Sequence, residues 1–488
     1  MNDIAYAHLS SRRSIAAVRG VLWSTVNAAV PTIAGSLVFV MSSRYLLPAD
    51  FGLVALAGGL AALASAFAPG GFGDAVVQRS ALQKTHLDTT FWLCIGSATI
   101  IYLLLFVLAG PIASFVNQPE IVNLLRLLGC RVIFDLAAAV PNALITRSMS
   151  FGLTAMRTTV AAIASGILCV VMLIMGYGLW ALAVSQLLIS VVACVAAFWS
   201  AGWRPGLDIR VQSVLDLARY GLFASGSRFL QMMSVDQIII GALVGPASLG
   251  VFNFAKRVCS MLNDVIAGAL GGVSYTLLSS LQNERQKLND AFLLGTFASA
   301  AISFPAFVGL AAIAADAIPE FFGAHWAEAV APIQVFCVIS LLGCIGSLQS
   351  ALVTSQGKSD WWFWYQLGSQ LSNIAVVLLF YRHGVLAITS AIALKTLVSW
   401  PVPIAMVTKL TGISPAKYMS QFVAPAAASA LMVASIAVMN WHLSGASLLA
   451  RIGAEVPASG LVYIVVLSTL SHARLNYVVS LVRNRHRS

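Results

Sequence analysis

Hydrophobic residues are grouped into long runs along the chain, and polar residues are confined to the short segments between them. Crossing a bilayer as a helix takes about 20 consecutive apolar residues. On that criterion the pattern predicts about fourteen membrane-spanning helices, near residues 20–43, 52–73, 90–114, 121–145, 155–176, 179–201, 216–241, 248–275, 290–313, 328–354, 361–381, 384–407, 418–440 and 450–471. The largest predicted outer loop, near 314–327, is too short for a separate domain. We therefore predict an all-α polytopic membrane protein.

The stretch from Arg44 to Arg79 recurs in the second half of the chain. It consists of a turn, an apolar run rich in Ala and Gly, and a basic end. A degenerate copy follows about 198 residues later, and in it Pro48, Ala49, Gly52, Ala57, Gly70 and Gly73 align with Pro246, Ala247, Gly250, Ala255, Gly268 and Gly271. Such a repeat, flanked by hydrophobic helices, is typical of a duplicated membrane protein.

The repeat predicts two six-helix lobes and two additional C-terminal helices. We assign helices 1–6 to residues 1–210, helices 7–12 to 211–410, and helices 13 and 14 with a basic tail to 411–488. Because six is even, both lobes begin on the same side of the membrane, and their pseudo-twofold axis runs along the membrane normal. The small residues of helices 2 and 8 are expected to permit close helix packing.

Basic residues are concentrated on one side of this predicted topology. With the N-terminus in the cytoplasm, the opposite side holds only Arg44, Arg382 and Arg451 among the loop Lys and Arg residues. Cytoplasmic loops of membrane proteins collect Lys and Arg, so we predict that both termini are cytoplasmic. The same bias accounts for the formal net charge of +11, and no basic motif interleaved with aromatic residues indicates nucleic-acid binding.

The composition supports a membrane protein without a metal or redox centre. Hydrophobic residues make up 59% of the chain and charged residues 9%, whereas about 25% is charged in soluble domains. All seven cysteines lie in apolar runs without a Cys-x-x-Cys or Cys/His cluster, so they are expected to be small core residues. We predict no cofactor.

Nine ionisable residues inside the predicted helices are candidates for a functional role. Such groups are costly in a bilayer and usually face a cavity or a partner. The cations are in surplus, which favours an anionic guest that carries phosphate groups, because Arg binds phosphate oxygens bidentately. The predicted substrate-binding cations are Arg126, Arg131, Arg228, Lys256, Arg257 and Lys395, and the candidate ion-coupling acids are Asp135, Asp236 and Asp264.

Each of these assignments has an alternative. Arg131 and Asp135 are four residues apart and Arg257 and Asp264 are seven apart, so each pair lies on nearly one helix face. For both pairs, mutual neutralisation and a role in a cavity stay open. Asp236 is open to two interpretations, as a coupling-ion carboxylate or as part of a salt bridge between the lobes.

Two of the predicted cations lack an acidic partner close by in the sequence. Arg126 and Lys395 have none, which favours a cavity role, with the alternative that either side chain reaches towards the membrane surface. Arg228 lies two turns before Asp236 on predicted helix 7.

Two sequence blocks resemble the polysaccharide transporter family. The first combines Arg-Tyr-Leu-Leu-Pro-Ala-Asp-Phe-Gly-Leu-Val-Ala-Leu-Ala (44–57) with Gly-Phe-Gly-Asp-Ala-Val-Val-Gln-Arg (71–79), and the second covers 236–241 and 245–258. The resemblance is to Wzx-like flippases of the multidrug/oligosaccharidyl-lipid/polysaccharide (MOP) exporter superfamily, of the colanic-acid and succinoglycan type. It implies two six-helix lobes in a V shape, a cationic central cavity, and transport that many relatives drive with an ion gradient.

The resemblance also implies a substrate. We expect a non-enzymatic flippase that moves undecaprenyl-diphosphate-linked oligosaccharide across the bacterial inner membrane for exopolysaccharide or lipopolysaccharide O-antigen biosynthesis. Alternating access would be coupled to H⁺ or Na⁺, with membrane lipids and a polysaccharide polymerase or export machinery as candidate partners. The alternatives are a multidrug cation antiporter, for which an acidic cavity is expected, a lipid II flippase, and a membrane glycan polymerase or ligase, for which a large outer loop is expected.

Overall fold

The computed structural model describes residues 30–79, 82–148, 151–232, 235–281, 284–443 and 447–472. Within these ranges the chain is helical nearly throughout, which confirms the predicted all-α fold class. The two termini, whose cytoplasmic location is predicted, lie outside the described residues.

The helices follow one another with short connections. In the described ranges they are α1 (30–45), α2 (Pro48–Ala66), α3 (Gly71–Gln78), α4 (Lys84–Val116), α5 (Ile121–Ala137), α6 (Ala139–Arg147), α7 (Phe151–Ile174), α8 (Leu179–Ala201), α9 (Val211–Met232), α10 (Val235–Leu243), α11 (Pro246–Ser280), α12 (Arg285–Phe322), α13 (Val330–Ser355), α14 (Ser359–Phe380), α15 (Gly384–Ser399), α16 (Pro401–Thr411), α17 (Pro415–His442) and α18 (Leu448–Leu470), with 3₁₀ turns at Ala324–Ala329 and Tyr381–His383.

Nine helical stretches of the described chain are long and apolar enough to cross a membrane. The predicted count of fourteen spans therefore stays a prediction. Some predicted spans are divided in the structure. Proline clashes with the carbonyl group four residues before it, and α5 ends at Ala137, four residues before Pro141. The predicted outer loop near 314–327 is largely helical, because α12 continues to Phe322.

The chain forms two compact units, one up to Gly250 and one from Val251 onward. In the first unit, α5 packs against α2, α4 and α8, and α9 packs against α3. In the second unit, α12 packs against α13, α17 and α18. The boundary differs from the predicted lobe boundary at 210/211, because α9 and α10 pack on helices of the first unit. The division of the chain by sequence repeat stays a prediction.

The repeated turn brings its two copies into reciprocal contact within the first unit. Pro48 begins α2 and Pro246 begins α11, at a position where the missing N–H of proline costs nothing. A Cβ atom on Gly52 would lie 1.7 Å from the carbonyl oxygen of Pro246, and a Cβ on Gly250 would lie 1.7 Å from that of Pro48. Only glycine allows so close a backbone approach. Equivalent residues of the repeat thus exchange the same contact, as a local twofold relation requires.

Candidate functional site

Two cavities of the first unit share Asp135 in their walls. The Gly58 cavity, of about 310 Å³, is lined by Gly58, Ala61, Ala62, Ser65, Leu128, Arg131, Val132, Asp135 and Gln186. The Asp74 cavity, of about 410 Å³, is lined by Gly70, Gly73, Asp74, Val77, Gln78, Asp135, Leu136, Ala139, Asn142, Ala143, Thr146 and Tyr220. Ligand sites commonly enclose about 300–1,000 Å³, so each cavity is large enough for part of a ligand.

Small residues on one face of α2 leave the space of the Gly58 cavity. Gly58, Ala61, Ala62 and Ser65 follow the spacing that places side chains on one helix face. A Cβ atom added to Gly58 would still lie 3.9 Å from Oε1 of Gln186. The small residues were predicted to allow close helix packing, and on this face they border an open volume instead.

Arg131 and Asp135 form an ion pair at the junction of the two cavities. Arg131 Nε lies 3.1 Å from Asp135 Oδ2, and the two side chains are 43% and 49% exposed. In the described part of the chain, Arg131 makes only this hydrogen bond, so its two terminal amino groups are available to a ligand. Exposed ion pairs contribute only about 0–1 kcal/mol, and an incoming anion can therefore compete with Asp135 for this guanidinium.

Helix α3 forms one wall of the Asp74 cavity and is fixed at both ends. Arg147 Nη1 donates hydrogen bonds to the carbonyl oxygens of Val76 (3.2 Å) and Val77 (3.4 Å) in the last turn of α3, and to that of Arg79, which caps the helix. At the other end the backbone N–H of Gly71 donates to Ser225 Oγ of α9 at 3.0 Å.

A further ion pair ties the end of α3 to α9. Arg79 Nη2 lies 2.9 Å from Asp216 Oδ2. Together with the Gly71 contact, this pair holds α9 beside the cavity that Tyr220 lines.

The Asp74 cavity presents amide, hydroxyl and carboxylate groups. Arg157, which does not line this cavity, donates to Asn142 Oδ1, and the NH₂ group of that amide is left as a donor for a ligand. Gln78, Thr146 and Tyr220 add further donors and acceptors to the lining. A ligand with several hydroxyl groups could find both donors and acceptors here.

Arg126 lies away from these cavities. Its guanidinium carbon is 4.4 Å from the centre of the Phe106 ring on α4, a cation–π contact. Arg126 and Arg131 are five positions apart in the sequence, which places the two about 140° apart around α5. Neither cavity is lined by Arg126, and its predicted role in substrate binding is untested.

Lys395 has a partner on the neighbouring helix. Its Nζ donates to Ser369 Oγ at 2.9 Å and to the Ser369 carbonyl oxygen at 3.4 Å, which links α15 to α14. Asp236 lies in the first turn of α10, and the side chain of Arg228 lies outside the described residues. The proposed binding and coupling roles of these residues stay predictions.

Three predicted site residues lie on α11. Lys256 Nζ is 6.0 Å from the centre of the Phe252 ring, a weak cation–π contact. Lys256 and Asp264 are exposed and Arg257 is half-buried. In the described residues no ion pair joins Arg257 to Asp264. Their predicted roles in substrate binding and ion coupling are untested.

A charged cluster that sequence reasoning missed lies in the second unit. Arg451 Nη2 of α18 is 2.6 Å from Asp316 Oδ1 of α12, and Arg451 Nε is 3.6 Å from Glu455 Oε1. The Glu455 side chain is only 1% exposed. The available signal was the four-residue spacing of Arg451 and Glu455 inside a predicted helix.

The apolar helices and the internal repeat are those of a polytopic α-helical membrane protein. Residues 41–331 match the family of polysaccharide biosynthesis proteins, and the chain belongs to this family. The assignment confirms the resemblance of the two sequence blocks.

Individual relatives agree with this assignment. The chain is 26% identical to the succinoglycan biosynthesis transport protein ExoT of Rhizobium meliloti over 290 residues. The matched segment covers 59% of this chain and 58% of that protein. The chain is 23% identical over 355 residues to the lipopolysaccharide biosynthesis protein WzxC of Escherichia coli, covering 70% of each. The inward closed structure of the lipid II flippase MurJ has the same fold, with a TM-score of 0.73 at 14% identity over 93% of this chain and 100% of that one.

Proposed function

We propose that this protein is a flippase for undecaprenyl-diphosphate-linked oligosaccharides in the bacterial inner membrane, serving exopolysaccharide or O-antigen biosynthesis. It moves the glycan without changing it covalently, with both termini in the cytoplasm and with H⁺ or Na⁺ as the coupling ion. The names of the relatives in succinoglycan and lipopolysaccharide biosynthesis support this substrate class. The shared fold with a lipid II flippase is consistent with transport of a lipid-linked sugar.

The availability of the Arg131 guanidinium at the junction of the two cavities carries this proposal. The terminal amino groups of Arg131 can bind two oxygens of a diphosphate. Because the ion pair with Asp135 is exposed, the diphosphate can replace Asp135 as the partner of this guanidinium. The Asp74 cavity beside it offers polar groups to the sugars. The prenyl chain stays in the surrounding lipid, because moving this apolar chain into a polar cavity would be costly.

Reconstitution in liposomes tests the function directly. A lipid-linked oligosaccharide with a labelled glycan is placed in one leaflet, and its appearance in the other is measured with a membrane-impermeant lectin. Arg131→Ala removes a charge-assisted contact that contributes about 1.5–3 kcal/mol, so we expect the rate to fall about 10- to 150-fold. Arg131→Lys keeps the charge but loses the bidentate geometry, and an intermediate rate is expected.

Arg210→Ala is the matched control. Arg210 also pairs with an aspartate, Asp208, but its side chain is 64% exposed and lines neither cavity. The transport rate of Arg210→Ala should equal that of the unaltered protein. If both arginine variants were equally active, Arg131 would have no role in binding.

The same liposomes separate the alternative functions. Efflux of cationic dyes without glycan movement would identify a multidrug antiporter, and movement restricted to lipid II would identify a peptidoglycan flippase. A lengthened or transferred glycan would identify a polymerase or ligase. Each of these outcomes would overturn the proposal, as would surface polysaccharide that persists after deletion of the gene in cells without a second exporter.

A further inference from the structure

We propose that Glu455 on α18 carries the proton that couples transport to the proton gradient, and that Arg451 alternates between Asp316 and Glu455 as this proton binds and leaves. The coupling role rests on the proposed flippase function. The protonation of Glu455 does not, and it can be tested without a substrate.

The geometry shows one arginine between two carboxylates. Arg451 Nη2 lies 2.6 Å from Asp316 Oδ1, within the range of a strong charge-assisted hydrogen bond. Arg451 Nε lies 3.6 Å from Glu455 Oε1, which is beyond hydrogen-bond distance. Arg451 Nε and Glu455 Oε1 are both buried, and neither has a hydrogen-bond partner among the described residues. In this state Arg451 is therefore hydrogen-bonded to Asp316 and not to Glu455.

The burial of Glu455 makes its charge the central question. Its side chain is 1% exposed, whereas Arg451 is 19% and Asp316 33% exposed. An ionised carboxylate at such a site is costly unless it is fully paired. Because the best donor of Arg451 goes to Asp316, the observed arrangement fits a neutral, protonated Glu455. A third of the Asp316 side chain is exposed, so the cluster has access to water on that side.

The other charged or titratable groups near this end of the neighbouring helices are exposed, in the part of the chain that the structure describes. α18 packs against α12 and α17. Towards this end α12 also carries Glu320, which is exposed, and α17 ends at His442, which is exposed and has its Nδ1 3.0 Å from the Val438 carbonyl oxygen. Glu455 is the buried titratable group of the set, so it is the group whose charge depends most on Arg451.

Loss of the proton has a mechanical consequence. A charged Glu455 attracts Arg451, and the two are then paired within α18, so the bond from Arg451 to Asp316 on α12 is released. About two turns further along, Tyr463 OH still donates to the Ala301 carbonyl oxygen of α12 at 2.8 Å. Deprotonation thus frees one end of α18 from α12 while the other end stays attached.

Infrared difference spectroscopy of the full-length protein in lipid tests the protonation. A C=O band of a protonated carboxyl group should appear and disappear as the pH is changed, and Glu455→Gln should abolish it. Asp316→Asn releases Arg451 towards Glu455, so the titration of the band should move to lower pH. Asparagine has nearly the volume of aspartate, so Asp316→Asn is expected to fold. It tests the protonation of Glu455 even if Glu455→Gln fails to fold. Glu120→Gln, at an exposed glutamate of the first unit, is the matched control.

The liposome assay tests the coupling. One coupled proton can support about a tenfold substrate ratio for each unit of pH gradient. Glu455→Gln should abolish this dependence, and Glu120→Gln should keep it. A band that is absent from the unaltered protein, or that is unchanged in Glu455→Gln, would overturn the protonation. Gradient-driven transport that persists in Glu455→Gln would overturn the coupling. Absence of oligosaccharide movement in the unaltered protein would refute the flippase function and with it the coupling, while the infrared result would still decide the protonation.

Discussion

Replacing Gly52 by alanine tests the contact between the two copies of the repeated turn. The new Cβ would lie 1.7 Å from the carbonyl oxygen of Pro246, 2.4 Å from its carbonyl carbon and 2.9 Å from its Cα. These are backbone atoms, which cannot rotate away as a flexible side chain can. Since ordinary contact begins near 3.4 Å, the two turns must separate by about 1.7 Å.

Separation of two packed helix ends has a calculable cost. Overpacking of this kind destabilises proteins by about 1–3 kcal/mol, and alanine returns about 0.5–1 kcal/mol through its higher helix propensity. The two ranges together give an expected net loss of up to about 2.5 kcal/mol for Gly52→Ala. The same loss is expected for Gly250→Ala, whose Cβ would lie 1.7 Å from the Pro48 carbonyl oxygen.

The reciprocal geometry predicts that the two losses are not additive. Once the first alanine has moved the turns apart, the second meets less resistance. The double variant should therefore lose less than the sum of the single variants, with a coupling of about 0.5–3 kcal/mol as found for residues in contact. Unfolding in mixed micelles with increasing dodecyl sulfate, followed by tryptophan fluorescence and circular dichroism, measures all three variants.

Gly96→Ala and Gly343→Ala are the controls for helix propensity. Both glycines are within helices, and a Cβ atom on either would meet nothing within 4 Å. These variants should be as stable as the unaltered protein or slightly more stable. Single variants at the repeat that behave like these controls, or a double variant with strictly additive loss, would refute the reasoning.

Two further predictions concern buried or fixed polar groups. Arg147→Ala removes the donor to the carbonyl oxygens at the C-terminal end of α3, and a loss of about 1.5–3 kcal/mol is expected in the same unfolding assay because these are hydrogen bonds to a charged group. Tyr418→Phe removes the hydroxyl that accepts from Gln349 Nε2 at 2.9 Å, and since both residues are fully buried the unpaired amide should cost about 1–3 kcal/mol. Arg210→Ala and Tyr177→Phe, at exposed positions, should change stability by less than about 0.5 kcal/mol, and equal losses in test and control would contradict both predictions.

The helices and the repeat could be predicted because they depend on local patterns. Runs of apolar residues have the length that a bilayer requires, and the proline and glycine positions of the repeat correspond to the contact between Pro48, Gly52, Pro246 and Gly250. The length of an apolar run does not predict where the helix is interrupted. The interruption between α5 and α6 depends on a single residue, Pro141.

The surroundings of a buried charge depend on neighbouring helices, which the sequence does not show. Arg126 and Arg131 lie on the same helix, but one contacts Phe106 of α4 and the other borders a cavity beside α2. Lys395 has no local acidic partner, yet Ser369 of the adjacent helix accepts its hydrogen bonds.

The cluster around Glu455 was missed for a similar reason. Asp316 was assigned to an outer loop, although α12 continues to Phe322 and places it beside Arg451 of α18. A pattern along one segment cannot predict which residue of a distant helix lies opposite.

The contact between Pro48, Gly52, Pro246 and Gly250 has the form of an isologous interface, in which residue i of one subunit contacts residue j of the other and j contacts i. Here a single chain supplies both sides. Such a pattern is what fusion of the two subunits of a symmetric homodimer leaves behind. Because backbone atoms make the contact, side chains elsewhere in the two copies could diverge without loss of register, and the second copy could acquire Lys256 where the first has Gly58.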